Sequence, residues 1–133
     1  MKKLEIKALT ENLSEVLAFI DKELEAADCS MKTQMQIDVA VEEIFVNIAN
    51  YAYSPEVGTA VITIDVTDDA FVIGFSDCGI PYDPLAKPDP DITLSAEERS
   101  IGGLGIYMVK KSMDDVIYEY RDGHNLLTFK KDR

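Results

Sequence analysis

Ile37, Ala40, Val41, Ile44, Ile48 and Tyr51 recur at helical spacing and fall on one stripe roughly 100° wide, and nothing else in the chain narrows its fold as much. Ser30 or Thr33 can start that helix, and Ser54-Pro55 stops it at about Tyr53. A helix with one apolar stripe buries it against a second layer. That layer is legible just downstream. Thr59 to Val66 is β-branched and alternating, Asp68-Asp69 reads as a turn, and Phe71 to Phe75 returns as the paired strand of a hairpin.

The remaining elements fit the same plan. Lys2 to Ala8 alternates apolar and charged residues around Leu4 and Ile6, as a short strand does. Thr10 or Asn12 can cap a helix whose stripe is Leu13, Val16, Leu17, Ile20 and Leu24. Gly105 to Met113 reads as a third helix, with Lys110 and Lys111 near its negative end. Val116 to Tyr120 and Leu126 to Lys130 form a second hairpin around Asp122-Gly123. Between Cys78 and Ile101 lies a long polar segment with Pro81, Pro84, Pro88 and Pro90, and a loop of that length in a compact domain is usually functional. The expected fold class is α/β: a two-layer sandwich, a mainly antiparallel sheet with helices on one face. Its 133 residues are expected to form one domain, 1–133, with a lid at about 78–101.

Charge and cysteine usage exclude several function classes. The formal net charge is −12, so the chain lacks the basic face that a nucleic-acid backbone requires, and no direct nucleic-acid partner is expected. No apolar run approaches a membrane span, and no signal-peptide core follows Met-Lys-Lys-Leu-Glu, so no membrane association is expected. Cys29 and Cys78, with a single histidine, make neither a disulfide framework nor a zinc site. A reduced, cytoplasmic setting is the default.

Three short segments carry chemistry. Glu43 and Asn47 are four apart, one above the other on the flank of the helical stripe, at the rim of the core. An amide oxygen there suits Mg²⁺, and a carboxylate one turn away can take a proton from an attacking hydroxyl or water. The same pair also reads as a solvated Glu beside a locally bonded Asn. Asp77 stands where the hairpin's second strand ends, placed to accept a hydrogen bond from an exocyclic amine, and Gly79 allows a flat ring to approach. An Asx-type turn needs the same Asp and Gly. Ser100-Ile101-Gly102-Gly103-Leu104-Gly105 precedes a helix, whose free N–H groups can bind phosphate, though such glycines also serve as hinges. It is neither a Walker A loop nor a dinucleotide-binding fingerprint.

In this order, Glu43-x-x-x-Asn47, Asp77-x-Gly79-x-Pro81 and Gly103-x-Gly105 resemble the N, G1 and G2 boxes of the GHKL (Bergerat-fold) ATPases, which include histidine kinases, gyrase and Hsp90. The form Asp77-Cys78-Gly79-Ile80-Pro81-Tyr82-Asp83-Pro84 is similar to that of the bacterial anti-sigma factor serine-protein kinases of partner-switching systems. The resemblance implies an ATP-binding anti-sigma regulatory factor that phosphorylates a serine of a small antagonist protein and otherwise sequesters a sigma factor, as a homodimer. It implies Glu43 as the general base and Asn47 as the Mg²⁺ ligand. It further implies Asp77, Gly79, Pro81, Gly102, Gly103, Leu104 and Gly105 around the ATP, and Arg99 near the γ-phosphate or a neighbouring subunit.

The chain departs from the wider pattern at Pro81, in place of the second G1 glycine, and at Tyr51 and Tyr53, where relatives often carry histidine and glycine. Many GHKL proteins offer a threonine near the adenine from the terminal strand. Here the neighbours are Asn125, Leu126, Leu127 and Thr128, and no contact follows from them. Two alternatives stand beside the kinase: a nucleotide-binding regulator that sequesters a partner without transferring phosphate, and an interaction domain that binds no nucleotide. The Glu43 carboxylate favours the kinase.

Overall fold

The computed structural model describes residues 1–53, 57–86 and 103–133, with Gly103 and Leu104 as backbone alone. Arg99, Gly102 and most of the expected lid lie outside the described residues.

Among the described residues, five strands form one antiparallel sheet in the order β1-β2-β3-β5-β4. They are β1 (Lys2–Lys7), β2 (Thr59–Val66), β3 (Ala70–Asp77), β4 (Asp115–Arg121) and β5 (His124–Asp132). The helices α1 (Leu13–Ala26), α2 (Met31–Asn47) and α3 (Gly103–Ser112) cover one face. The β4–β5 hairpin turns through Asp122 at φ 55° and Gly123 at φ 80°. Two left-handed residues make the tight connection whose twist matches the strands. That turn lets β5 lie between β4 and β3.

The register decides which side chains face the helices. Ile64, Ile73, Phe129 and Val116 make one rung across β2, β3, β5 and β4, and Ile62, Phe75, Leu127 and Tyr118 make the next. Phe75 and Phe129 meet with ring centroids 5.9 Å apart. Val16, Ile20 and Leu24 of α1 and Ile37, Val41 and Phe45 of α2 are fully buried over them. The rung at the end of the sheet is different: Ala60, Asp77, Asn125 and Tyr120. It brings two polar residues to the edge of the core.

Some expectations shift. Ser30 caps α2 by accepting the Thr33 N–H at 3.2 Å. Asn12 makes no cap, because its amide donates to the Lys7 carbonyl at 3.0 Å, and a 3-10 turn at Thr10–Asn12 leads into α1. The long helix does reach the Tyr53 region, but α2 gives way to a π-helical turn over Ile48–Ala52. The wider turn shifts the phase of the stripe. Ala52 therefore turns inward, and Tyr51, expected on the buried stripe, is 54% exposed.

Candidate functional site

The polar rung at the sheet's end is the floor of a cavity. Asp77, the last residue of β3, is buried, and its Oδ1 accepts the Gly79 N–H and the Asn125 amide, both at 2.9 Å. Asn125 is buried too. Its Nδ2 also donates to the Ile80 carbonyl at 3.0 Å, while its Oδ1 accepts the Tyr82 N–H at 3.2 Å and the Tyr118 hydroxyl. Burial pushes the Tyr118 phenol up, and a hydrogen bond with the Tyr82 backbone opposes it.

The loop after Asp77 is tied to the helical layer as well as to the sheet. Ile80 N–H donates to the Ala52 carbonyl at 3.0 Å, at the end of the π-helical turn. A Cβ on Gly79 would stand 2.3 Å from that same carbonyl oxygen, so only glycine lets the loop lie this close. Tyr53 adds a second tie: its hydroxyl accepts the Cys78 N–H and donates to the Thr59 carbonyl, each at 2.7 Å. The turn from strand to loop is thereby held from three sides.

The cavity rises from this floor between α2 and the loop. Ile44, Asn47, Ile48 and Ala52 line one wall, Phe75, Leu127 and Tyr118 the sheet side, Pro84 the loop side, and Tyr51, Ile80 and Tyr82 the mouth. Counting the open solvent at its mouth, the space between these walls is about 460 Å³. Its lining is mostly apolar, with Asp77, Asn125 and Asn47 as convergent polar groups. That combination suits a flat, partly polar ring.

Glu43 and Asn47 stand where the wall meets α3. Asn47 Nδ2 donates to Glu43 Oε1 at 3.3 Å. This bond orients the amide so that its oxygen is left for another donor or a cation. Burial pushes the Glu43 carboxyl up, the Asn47 hydrogen bond opposes it, and the Glu42 charge adds to it. A Cβ on Gly105 would lie 2.1 to 2.2 Å from the Glu43 carboxylate, so Glu43 can keep this position only with glycine at 105.

Residues 6–131 match the histidine kinase-like ATPase domain family. The chain belongs to that family. It is 30% identical over 96 residues to the serine-protein kinase RsbW of Bacillus cereus strain AH187, covering 69% of this chain and 60% of the relative. It is 27% identical over 100 residues to the serine/threonine-protein kinase BtrW of Bordetella bronchiseptica, covering 74% and 70%. The matched region thus spans about three-fifths of the RsbW relative's length. The fold matches the catalytic domain of histidine kinase ThkA with a TM-score of 0.56 at 14% identity, covering 99% of this chain and 97% of that one. It also matches the Acinetobacter baumannii histidine kinase AdeS, with a TM-score of 0.50 at 11% identity and coverages of 99% and 68%.

Within this histidine kinase-like domain, the three sequence segments converge. Asn47 and Asp77 line the cavity, Glu43 sits one hydrogen bond from Asn47, and Gly105 packs on Glu43. Gly79 lies behind the floor, Pro81 is exposed beside the mouth, and Gly103 opens α3. Asn125, Tyr118 and Tyr82 had no assigned role in the sequence reading. Asn125 stands among the terminal-strand residues where many GHKL proteins offer a threonine, but what it touches depends on the β3–β5 pairing.

Proposed function

We propose that this chain is an ATP-binding anti-sigma regulatory factor that transfers the γ-phosphoryl group of ATP to a serine of a small antagonist protein. The adenine enters the cavity and its amino group donates to Asp77. The phosphates extend past Asn47 toward the start of α3, at Gly103, Leu104 and Gly105, with Gly102 as the resemblance implies. The relatives named serine-protein kinases support the reaction class. The observation that carries the proposal is Glu43, an acid at the rim with a raised proton affinity, fixed between Asn47 and Gly105.

The donor set fits a magnesium ion: Asn47 would hold it through one hard amide oxygen, oriented by its own N–H₂ group. Held there, the ion would neutralise charge on the phosphates. The protein's own groups do the rest. Asp77 and the apolar walls orient the base. Glu43 takes the proton of the serine hydroxyl as that oxygen bonds to the γ-phosphorus. The bond from phosphorus to the β–γ bridging oxygen breaks, and ADP leaves. The partners are then a sigma factor and the antagonist, in the cytoplasm, with the factor acting as a homodimer.

Glu43→Gln tests the assignment. It keeps the hydrogen bond from Asn47 but removes the base. ATP binding measured by calorimetry is expected to hold, while phosphorylation of the purified antagonist falls about 10²–10⁴-fold. Transfer at the unmutated rate overturns the kinase reading. ATP binding with no transfer by the unmutated protein makes it a sequestering regulator instead.

A further inference from the structure

We infer that Asn125 is the positioning residue that sets base selection, acting through Asp77; this inference rests on the ATP site proposed above. The side chain sits on β5 directly across from Asp77 in the β3–β5 pairing, and both are buried. Its orientation is decided by its partners. The Tyr82 N–H can only donate, so the amide atom facing it is the oxygen. The NH₂ group must then face Asp77 Oδ1 and the Ile80 carbonyl, at 2.9 and 3.0 Å. Asn125 Oδ1 takes a second donor in the Tyr118 hydroxyl. The amide therefore has no freedom to flip, because a flipped amide would set N–H against N–H at Tyr82 and oxygen against oxygen at Asp77.

The consequence falls on the carboxylate. Asp77 Oδ1 is occupied by two donors, Gly79 N–H and Asn125 Nδ2. Among the described residues no hydrogen bond reaches Oδ2, and Asp77 lines the cavity. Asn125 thus turns Asp77 into a single fixed acceptor that faces the ligand. A base with an amino group at that edge supplies the matching donor. A base with a carbonyl there sets oxygen against oxygen at the buried Asp77 carboxylate, a mismatch that costs far more than a missing contact. Discrimination needs the carboxylate held still. A carboxylate free to rotate can turn aside from the carbonyl, accept water and tolerate either base.

The same amide joins three parts of the site: the sheet through Asp77, the loop through Ile80 and Tyr82, and β4 through Tyr118. Selection of the base is therefore built from the sheet side of the cavity. The α2 wall, with Glu43 and Asn47, is separate from it.

The full chain with Mg²⁺ is titrated calorimetrically with ATP and with ITP, which differ by the amino group against a carbonyl. The unmutated protein is expected to favour ATP at least tenfold. Asn125→Ala is expected to weaken ATP about tenfold or more while changing ITP less than threefold, so the ratio collapses. Asp77→Asn added to Asn125→Ala is expected to cost little further, because both act through one carboxylate. Should Asn125→Ala fail to fold, Tyr118→Phe is read instead. It frees one side of the amide and is expected to lower the ATP-to-ITP ratio at least threefold. A ratio within twofold of the unmutated value in the folded variant overturns the role of Asn125, even if both affinities drop together. No ATP binding, or no preference for ATP, in the unmutated protein overturns the site itself.

Discussion

Gly105 shows how one missing side chain shapes the chemistry of this domain. The atoms that an alanine Cβ would strike are those of the Glu43 carboxylate, the movable end of a side chain, and not backbone. Gly105→Ala therefore pushes Glu43 aside without unfolding α3, and alanine is the better helix former by about 1 kcal/mol. The expected outcome is a melting temperature unchanged or slightly raised, with phosphoryl transfer reduced more than tenfold because the Glu43–Asn47 pair is broken. A thermal melt and a transfer assay on one preparation check it, and full transfer activity would remove Glu43 from its assigned place. Gly79 is the contrasting case, since its neighbour is the Ala52 carbonyl, which cannot swing away. Two glycines in similar sequence settings thus differ in kind: one protects a site, the other a loop. The sequence motifs named both, but the neighbour that explains each belongs to another element.

The pairing of α1 with α2 carries a titration unrelated to the cavity. Asp21 on α1 and Asp38 on α2 each bury an Oδ1 that has no hydrogen-bond donor when both acids are ionised. One proton placed between them supplies it. Asp38 is accordingly raised to about 8, first by burial, then by its hydrogen bond to Asp21 and the charges of Asp21 and Glu25. An acid whose folded pKa lies above its unfolded value holds more protons when folded. Its contribution to stability is present at low pH and is lost as pH rises from about 4 to about 8. Asp38→Asn keeps a donor in place at every pH. It is expected to raise the melting temperature at pH 8 by more than at pH 5, flattening the dependence between them. Equal shifts at the two pH values would show that the two carboxyls do not share a proton. The two helices and most of their buried stripes were readable from periodicity, whereas this meeting of acids depends on how the helices pack.

At the scale of the whole molecule, charge is the dominant unbalanced quantity. Thirteen basic residues stand against twenty-five acidic ones, and the formal net charge is −12. Such an excess repels itself more strongly when the chain is compact. Salt shortens the reach of that repulsion, from a Debye length of about 30 Å at 0.01 M to about 8 Å at 0.15 M. The melting temperature is therefore expected to rise over that range, in contrast to a protein held by surface ion pairs. The surface pairs here are weak candidates for opposing it: Arg121–Glu119 at 3.2 Å and Lys130–Asp132 at 3.7 Å are largely exposed. A melting temperature that falls with added salt would show net stabilisation by surface pairing and not repulsion.

Local order along the chain was enough to determine the elements, their apolar faces, the fold class and the three segments Glu43–Asn47, Asp77–Pro81 and Gly103–Gly105. Periodicity and turn chemistry act over a few residues, so a single sequence displays them directly. Tertiary structure decided what depends on contacts between distant segments. Tyr51 left the buried stripe because the helix widens at Ile48–Ala52. Gly105 met Glu43 because α3 crosses α2 at that point. Asn125 came to lie beside Asp77, 48 residues earlier, because the sheet order places β5 next to β3. An asparagine amide has no preferred function in a sequence. The donors and acceptors that surround it after folding fix its orientation, and here they also fix the carboxylate that faces the cavity.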